Sequence, residues 1–402
     1  MRWMHLLLGL AVTACAGRPA TTLDAVAEGY VRVALQVAQH DPSLVESWRG
    51  PDGWRPGPRV PVAGLLDRID GLRRDLEGLP PAGAPRARHD YLAGQLRALH
   101  FATRRLMGAA ATLDDQARDE FGVSFGRVEP ARVAELHEAI NQALAGPGPL
   151  AARVAAFKAR TAVPAARRQA VMEAALAACR RASGAAVPLP ATERATISFS
   201  HGLGWDGYAR YLGGNRTDIA INGDGVLDLS RAVRLACHEG YPGHHVQYLL
   251  LDELAWPELE LTPAFGPHLL YAEGAAEVGA DLAFSIGERV TLLRGELLPL
   301  AGLSADLAGT MVRVESLVGE LVPVVTDVAR QYLDGSLPRE TALDRLRSEA
   351  LLANPDGVLA LIEKRRARAL VYAEGRRLVY ARMDTASLPA LKTLFTRAIA
   401  LQ

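Results

Sequence analysis

The segment Ala232 to Gln247 reads AVRLACHEGYPGHHVQ and holds three histidines, His238, His244 and His245, with Glu239 beside the first. A histidine-glutamate pair followed within two helical turns by more histidine is typical of a zinc site with its own general base. This segment therefore predicts a metal-binding helix and, with it, a zinc hydrolase.

The spacing of the histidines departs from the usual motif, in which two histidines stand four residues apart on one helix face. Pro242 occupies the fourth position here. In a regular helix His244 would point about 120° away from His238, and His245 would lie roughly 10 Å further along the axis. Because proline and the neighbouring glycines favour a distorted helix, we expect a bulge that carries His244 into the ligand position, with His245 as the substitute. The alternative is a kinked core helix whose histidines only form hydrogen bonds.

A catalytic zinc site needs a third protein ligand and leaves one position open for water. The helical pattern LLYAEGAAEVGADLAF, residues 269–284, places Glu273, Glu277 and Asp281 on one otherwise apolar face. We expect Glu273 to be the third ligand, and Glu277 or Asp281 to accept an N–H from a metal-bound histidine. The alternative is an acidic stripe that faces solvent.

HEGYPGHHVQ, followed by a helix with a Glu-Gly pair, resembles the bacterial domain-of-unknown-function family 885, whose members carry HE-x-x-PGHH-x-Q and a later EGW-type helix. That family is grouped with the largely α-helical gluzincin-like metallopeptidases, near carboxypeptidase Taq and the oligopeptidases. The resemblance implies zinc on His238, His244 or His245, and Glu273, with Glu239 as the base.

The resemblance spans roughly residue 63 to the C-terminus, but its specific motifs are confined to these two helices. The chain departs from the family at Ala275, where tryptophan is usual, and it is shorter than typical members. Both departures bear on the substrate more than on the metal.

Two further segments fit the same resemblance. TDIAIN, residues 217–222, alternates β-prone residues and is expected to form an edge strand that binds the substrate backbone, or else a structural hairpin. In RALVYAEGRRLVYAR, residues 368–382, Tyr372 and Gly375-Arg376 look like a late tyrosine-x-x-glycine element. The Tyr372 hydroxyl or the Arg376 guanidinium could stabilise an oxyanion there; the alternative is an ordinary amphipathic helix.

The N-terminal sequence MRWMHLLLGLAVTAC combines an arginine, a short apolar run and small residues before Cys15, which is typical of a secretory signal. The residues before Cys15 resemble a bacterial lipobox, which implies cleavage and lipidation at Cys15 and, by the identity of Ala16, the outer membrane of the cell envelope. An ordinary signal peptide is the alternative. We expect a signal peptide at residues 1–14 and a lipidated tether at 15–21, anchored in a lipid membrane.

Two cysteines, Cys179 and Cys237, remain beyond Cys15. An oxidising compartment would allow them to pair, but their alanine-rich helical contexts equally suggest small buried residues. A thiolate ligand at Cys237 is unfavourable, since adjacent residues on a helix point about 100° apart.

The amino-acid composition limits the class of protein and the kind of partner. The chain has 402 residues, 49% of them hydrophobic, and balances 45 acidic against 45 basic residues. It has no basic stripe, so nucleic acid is an unfavourable partner.

Helical periodicity dominates the chain, while β-branched runs are rare. Helices are predicted over residues 23–40, 62–79, 88–108, 130–144, 150–160, 164–183, 229–251, 269–285, 307–333, 339–352, 355–377 and 387–401. The fold class is therefore mainly α, a large helical metallopeptidase-like bundle with a short β hairpin or edge strand beside the metal helix. One domain is expected over residues 22–402, with the metal core at about 198–290.

The function that these patterns favour is zinc-dependent hydrolysis of a peptide or small amide. A non-catalytic surface lipoprotein that binds a partner, with a structural or lost metal site, is the alternative from another class. A zinc hydrolase of a non-peptide amide or ester is a third.

Overall fold

The computed structural model describes residues 22–79, 85–184, 186–202 and 205–397. The predicted signal peptide and the tether with Cys15 lie outside these ranges, so they stay predictions. The protein is 67% helical with 8% strand, which confirms the mainly α fold class. None of the helices within the described ranges combines the length and apolar content that crossing a bilayer requires.

Eighteen α-helices lie within the described residues. In chain order they are α1 Leu23–Ala38, α2 Val62–Glu77, α3 Pro85–Leu106, α4 Leu113–Gln116, α5 Pro130–Ala143, α6 Leu150–Arg160, α7 Arg168–Gly184, α8 Leu229–Leu235, α9 His244–Asp252, α10 Gly266–Leu282, α11 Ile286–Leu292, α12 Leu298–Ala301, α13 Ala308–Gly319, α14 Val322–Leu333, α15 Arg339–Ser348, α16 Pro355–Arg365, α17 Val371–Arg382 and α18 Leu388–Arg397.

Five short strands form two small sheets. They are β1 Val45–Trp48, β2 Arg194–Ser200, β3 Gly207–Gly213, β4 Arg216–Asn222 and β5 Leu261–Pro263. β1 pairs with β5, and β4 lies between β2, to which it is parallel, and β3, to which it is antiparallel. The expected hairpin is present as β3–β4, but TDIAIN is a central strand. The prediction of an edge strand at residues 217–222 is therefore wrong, because β2 covers its other side.

Three long predicted helices are divided in the structure. Residues 229–251 form α8 and α9, residues 307–333 form α13 and α14, and residues 355–377 end α16 at Arg365 and resume at α17. Periodicity continues across such breaks because the flanking helices still bury apolar faces. Arg366, with a φ of 50°, is the residue that turns the chain between α16 and α17.

The largest apolar core lies between the three-stranded sheet and the helices α7, α8, α10 and α13. A second core joins α1, α2 and α3 to the sheet of β1 and β5. The segment from α8 to α10 touches both, because Leu251 and Phe265 belong to the second core while Val246 and Tyr271 belong to the first. The residues predicted to bind metal therefore lie on elements that are fixed from two sides.

Candidate metal centre

The helix that begins at Leu229 is broken at the HEGYPGHH motif. A π-helical turn spans Ala236–Gly240, the Tyr241–Pro242 peptide is cis, and α9 begins at His244. The Gly243 N–H donates to the Cys237 carbonyl at 3.0 Å. A Cβ at Gly243 would lie 1.7 Å from the His238 carbonyl oxygen, so the return of the chain requires glycine.

The break brings the two histidines together as the sequence predicted. The ring centroids of His238 and His244 lie 4.8 Å apart, edge to face, and both residues are buried. Glu273 of α10 completes the group: its Oε2 lies 3.3 Å from His238 Nε2 and 3.5 Å from His244 Nε2. We call these three residues the triad.

The triad fits a zinc ion. One ligand atom from each residue lies within 4.8 Å of the others, and a tetrahedral ion with bonds of about 2.1 Å separates its ligands by roughly 3.4 Å. Glu273 Oε2 is buried and forms no hydrogen bond within the described part of the chain. A buried carboxylate oxygen without a hydrogen bond is costly unless a cation takes that place.

The charges around His238 also favour a cation. Burial alone would lower the pKa of His238, but Glu273 and Glu277 outweigh it and raise that pKa to about 10. Burial would likewise raise the pKa of Glu273, yet His244 and His238 lower it to about 2. The cluster therefore stabilises positive charge between these side chains.

Glu277 lies behind His238, on the side away from the triad. Its Oε1 lies 3.1 Å from His238 Nδ1, and its other oxygen is paired with Arg234. Asp281 contacts Arg234 at 3.2 Å instead of a histidine. Of the two residues predicted to accept an N–H from a histidine, Glu277 is therefore the one beside His238. The alternative prediction of Asp281 is wrong, because Asp281 lies one turn further along α10.

Glu239, the predicted base, is buried beside the edge strand β3. A Cβ at Gly207 would lie 2.7 Å from Glu239 Oε1, so a larger residue there would displace the carboxylate of Glu239. Burial raises the pKa of Glu239, while His238, His244 and a hydrogen bond from the Ala209 backbone lower it. The net shift of the Glu239 pKa is upward, which is the direction that suits a general base.

Tyr372 is the second predicted catalytic residue that the structure brings to the triad. Its ring centroid lies 6.1 Å from that of His238, and the residue is 42% exposed. The charge of Glu273, followed by burial, raises the pKa of the Tyr372 phenol well above its usual value. Tyr372 therefore keeps its proton and can donate a hydrogen bond.

Arg376 does not join the triad, so its predicted role at an oxyanion is wrong. Its Nε donates to Asp281 at 2.5 Å, and its guanidinium lies over the Tyr380 ring, 5.4 Å from the centroid. Arg376 lies one helical turn after Tyr372, about 6 Å further along α17. At this position its neighbour on α10 is Asp281.

His245 does not face the triad either, so the prediction that it could replace His244 as a metal ligand is wrong. Its Nε2 lies 2.9 Å from Glu193 Oε2 and its Nδ1 lies 2.7 Å from Thr217 Oγ1. The Tyr241 hydroxyl donates to the same Glu193 oxygen, at 2.5 Å. Adjacent residues at a helix start diverge by about 100°, which sends His245 into the core and His244 toward Glu273. His245 thus ties the broken helix to β4 and to Glu193.

A disulfide joins Cys179 of α7 to Cys237. The sequence left this pairing open, because nothing in it places α7 against the metal helix. The bond fixes the residue immediately before His238, and both sulfurs are committed to each other. Cys237 is therefore not a metal ligand.

A small cleft of about 60 Å³ opens beside Glu273 and Tyr372. Glu46 of β1 and Lys364 and Arg365 of α16 line the same cleft. Burial, and then the charge of Glu273, raise the pKa of Glu46 to about 7. Sequence reasoning missed these three residues, because none carries a motif and they come from segments distant in the chain.

Two solved structures resemble this fold. One, described as a candidate lipoprotein from Colwellia psychrerythraea, has a TM-score of 0.50 and 16% identity over 87% of this chain and 70% of that chain. The other, described as a candidate lipoprotein of unknown function from Shewanella oneidensis, has a TM-score of 0.46 and 12% identity over 85% of this chain and 71% of that chain. At such identity the first similarity concerns the fold alone.

No family model matches the chain, and no curated protein matches it. The resemblance to family 885 therefore stays a prediction.

Proposed function

We propose that the protein is a zinc-dependent hydrolase of peptide or other amide bonds. The observation that carries this proposal is the triad, in which Glu273 Oε2 lies 3.3 and 3.5 Å from two histidine nitrogens without a hydrogen bond. Three protein ligands are what a catalytic zinc site uses, since its fourth position is kept for water. The motif resemblance to the gluzincin-like family 885 supports the same conclusion.

Each nearby side chain has a distinct part in the proposed reaction. His238, His244 and Glu273 would hold zinc, which when bound lowers the pKa of a water molecule and polarises a carbonyl. Glu239 takes the proton of the attacking water and delivers it to the leaving amine. Tyr372, which keeps its proton, donates a hydrogen bond to the oxygen of the former carbonyl.

The neighbours of the triad hold it in position. Glu277 Oε1 lies 3.1 Å from His238 Nδ1, a contact that would orient the ring when Nε2 binds a metal, and Glu277 is itself paired with Arg234. This arrangement, a histidine backed by a carboxylate, fixes the ring and keeps Nε2 as the metal-binding nitrogen.

A second candidate function is a non-catalytic, lipid-anchored protein that binds a partner. The description of the Colwellia psychrerythraea protein as a candidate lipoprotein favours it, and so does the lipobox-like sequence before Cys15. Both candidates share one location, because a lipid on Cys15 would anchor either in the cell envelope. They differ in whether the triad turns over a substrate.

Metal analysis and turnover of the purified protein distinguish the candidates. We expect one zinc per chain in the wild type, almost none in His238→Ala, and an unchanged amount in Glu239→Gln. Hydrolysis of a mixed peptide pool, followed by mass spectrometry, should be seen with the wild type and be lost in Glu239→Gln. Full activity in Glu239→Gln would reject the assignment, and zinc without hydrolysis would favour the non-catalytic candidate.

A further inference from the structure

Lys364 and Arg365 stand at the rim of the cleft that also contains Glu273 and Tyr372. Both side chains are exposed, and neither forms an ion pair or a hydrogen bond with any residue that the structure describes. Two adjacent cations beside the triad, without an ion pair in the described part of the chain, are the feature that the proposed mechanism does not use.

Most other charges of the cleft are already committed. Arg368 donates to Glu120 at 2.6 Å. Asp41 accepts from the Ser43 backbone N–H at 3.0 Å and from its hydroxyl at 2.6 Å. Glu46 and Glu273 are the other carboxylates of the cleft, and neither forms an ion pair with Lys364 or Arg365. Lys364 and Arg365 are therefore two neighbouring cations that no ion pair within the described residues neutralises, and such cations attract anions.

Hydrogen bonds fix the chain directly after these two cations. α16 ends at Arg365, and Arg366 follows with a φ of 50°, a left-handed conformation that residues with a Cβ rarely adopt. The Ala367 N–H donates to Gln116 Oε1 at 3.1 Å, and Arg366 Nη2 donates to the Ala111 carbonyl at 2.9 Å. Such backbone strain is often found where a site must be held in one geometry.

We propose that Lys364 and Arg365 bind a carboxylate of the substrate; this inference rests on the proposed hydrolase function. A guanidinium and an ammonium side by side match a planar carboxylate, which the guanidinium can bind through two hydrogen bonds. Since one small cleft contains both the cations and Glu273, that carboxylate belongs to a residue near the bond to be cleaved. It is supplied either by the C-terminus of a peptide or by an aspartate or glutamate side chain.

Binding to the zinc-loaded Glu239→Gln protein tests the proposal without turnover. The probes are tripeptides of mixed sequence with a free or an amidated C-terminus, and the pair Ala-Glu-Ala-amide and Ala-Gln-Ala-amide, measured by equilibrium dialysis and mass spectrometry. We expect the peptides with a free terminus to bind about tenfold more tightly than their amides. A preference that appears instead within the Ala-Glu-Ala and Ala-Gln-Ala pair would assign the carboxylate to a side chain.

Substitution of the two cations checks that the preference comes from them. Lys364→Met with Arg365→Gln should remove the preference, while Arg365→Lys should retain part of it. Arg294→Gln with Arg313→Gln, at two exposed arginines outside the cleft, should leave it unchanged. Equal binding of all probes, or a preference that survives Lys364→Met with Arg365→Gln, would overturn the proposal.

Hydrolysis of the same free-terminus pool by the wild type separates this inference from the proposed function. Cleavage by a protein that shows no carboxylate preference in binding would reject this inference and support the hydrolase function. Carboxylate-dependent binding without any cleavage would support the carboxylate site and reject the hydrolase function.

Discussion

Gly375 of α17 lies directly against Gly274 of α10. A Cβ on Gly274 would lie 2.2 Å from the Gly375 carbonyl carbon, and a Cβ on Gly375 would lie 2.3 Å from the Leu270 carbonyl oxygen. Glu273 precedes the first glycine by one residue, and Tyr372 precedes the second by one turn. The backbone contact of the two helices therefore sets the approach of Tyr372 to Glu273.

Gly375→Ala should separate the two helices. The added methyl overlaps backbone atoms, which cannot move aside as a side chain can, so the free energy of unfolding should fall by about 1–3 kcal/mol. Urea unfolding measures the change. Gly71→Ala in α2 is the matched control: a Cβ there meets no atom within 4 Å, and a gain of about 0.5–1 kcal/mol is expected. Equal effects of the two substitutions would contradict the role of the glycine contact.

Gly243→Ala should disrupt the metal centre more than the fold. A Cβ there would overlap the His238 carbonyl, so the chain must shift at the point that places His244 opposite His238. We expect zinc affinity to fall by about tenfold or more, as when the supports of a metal ligand are altered. Competition with a chromogenic chelator gives the affinity. If a folded Gly243→Ala protein binds zinc with wild-type affinity, the chain geometry between His238 and His244 does not depend on glycine.

The sequence predicts the triad well because its members lie in two local motifs. Pro242 and two glycines indicate a break between His238 and His244, and acidic residues spaced four apart indicate the helix face that carries Glu273. It does not predict the partners of His245, since nothing in the sequence places Glu193 or Thr217 beside the metal helix. Adjacent residues on a helix point about 100° apart, so only one of His244 and His245 can face the triad. The residue spacing alone does not show which one, because α9 begins after a break and its rotation relative to α8 is not fixed by the sequence pattern.

The same limit applies to β4 and to the cleft. Alternation in TDIAIN correctly predicts a strand, but whether a strand is central or at an edge depends on the tertiary pairing with β2. In the sequence, Lys364 and Arg365 are ordinary cations inside the predicted helix 355–377. Only the packing of α17 against α10, with α16 ending just before α17, brings them to the cleft of Glu273.

His244→Ala and His245→Ala should have opposite consequences. His244→Ala removes a triad ligand, so it should lose zinc while retaining most stability. His245→Ala leaves the buried carboxylate of Glu193 with one partner fewer, which should cost about 1–3 kcal/mol of unfolding free energy, while the folded protein still binds zinc. Zinc analysis combined with urea unfolding measures both. Loss of zinc in a stable His245→Ala protein would reverse the assignment of the two histidines.

Removal of the disulfide should weaken the support of the metal helix. Cys179 and Cys237 are 58 residues apart, and closing a loop of that length is worth about 4 kcal/mol by chain entropy. Cys179→Ser with Cys237→Ser should therefore lower the free energy of unfolding by about 2–4 kcal/mol. Urea unfolding of the oxidised and reduced wild type gives the same comparison without substitution. If reductant leaves the wild-type midpoint unchanged, the bond does not contribute to stability.

His268, near the start of α10, should make the stability depend on pH. Its ring lies edge to face with that of Tyr91, at 5.9 Å between centroids, and burial, followed by the charge of His244, lowers the pKa of His268 to about 4. The unfolded chain has a histidine pKa of about 6.5, so between these values the unfolded state binds a proton that the folded state does not. Stability from this group is therefore complete above pH 6.5 and falls as the pH is lowered toward 4. Between pH 7 and pH 5 the wild type should lose about 2 kcal/mol more than His268→Gln, as measured by urea unfolding at both values. Parallel losses in the two proteins would show that His268 titrates alike in the folded and unfolded states.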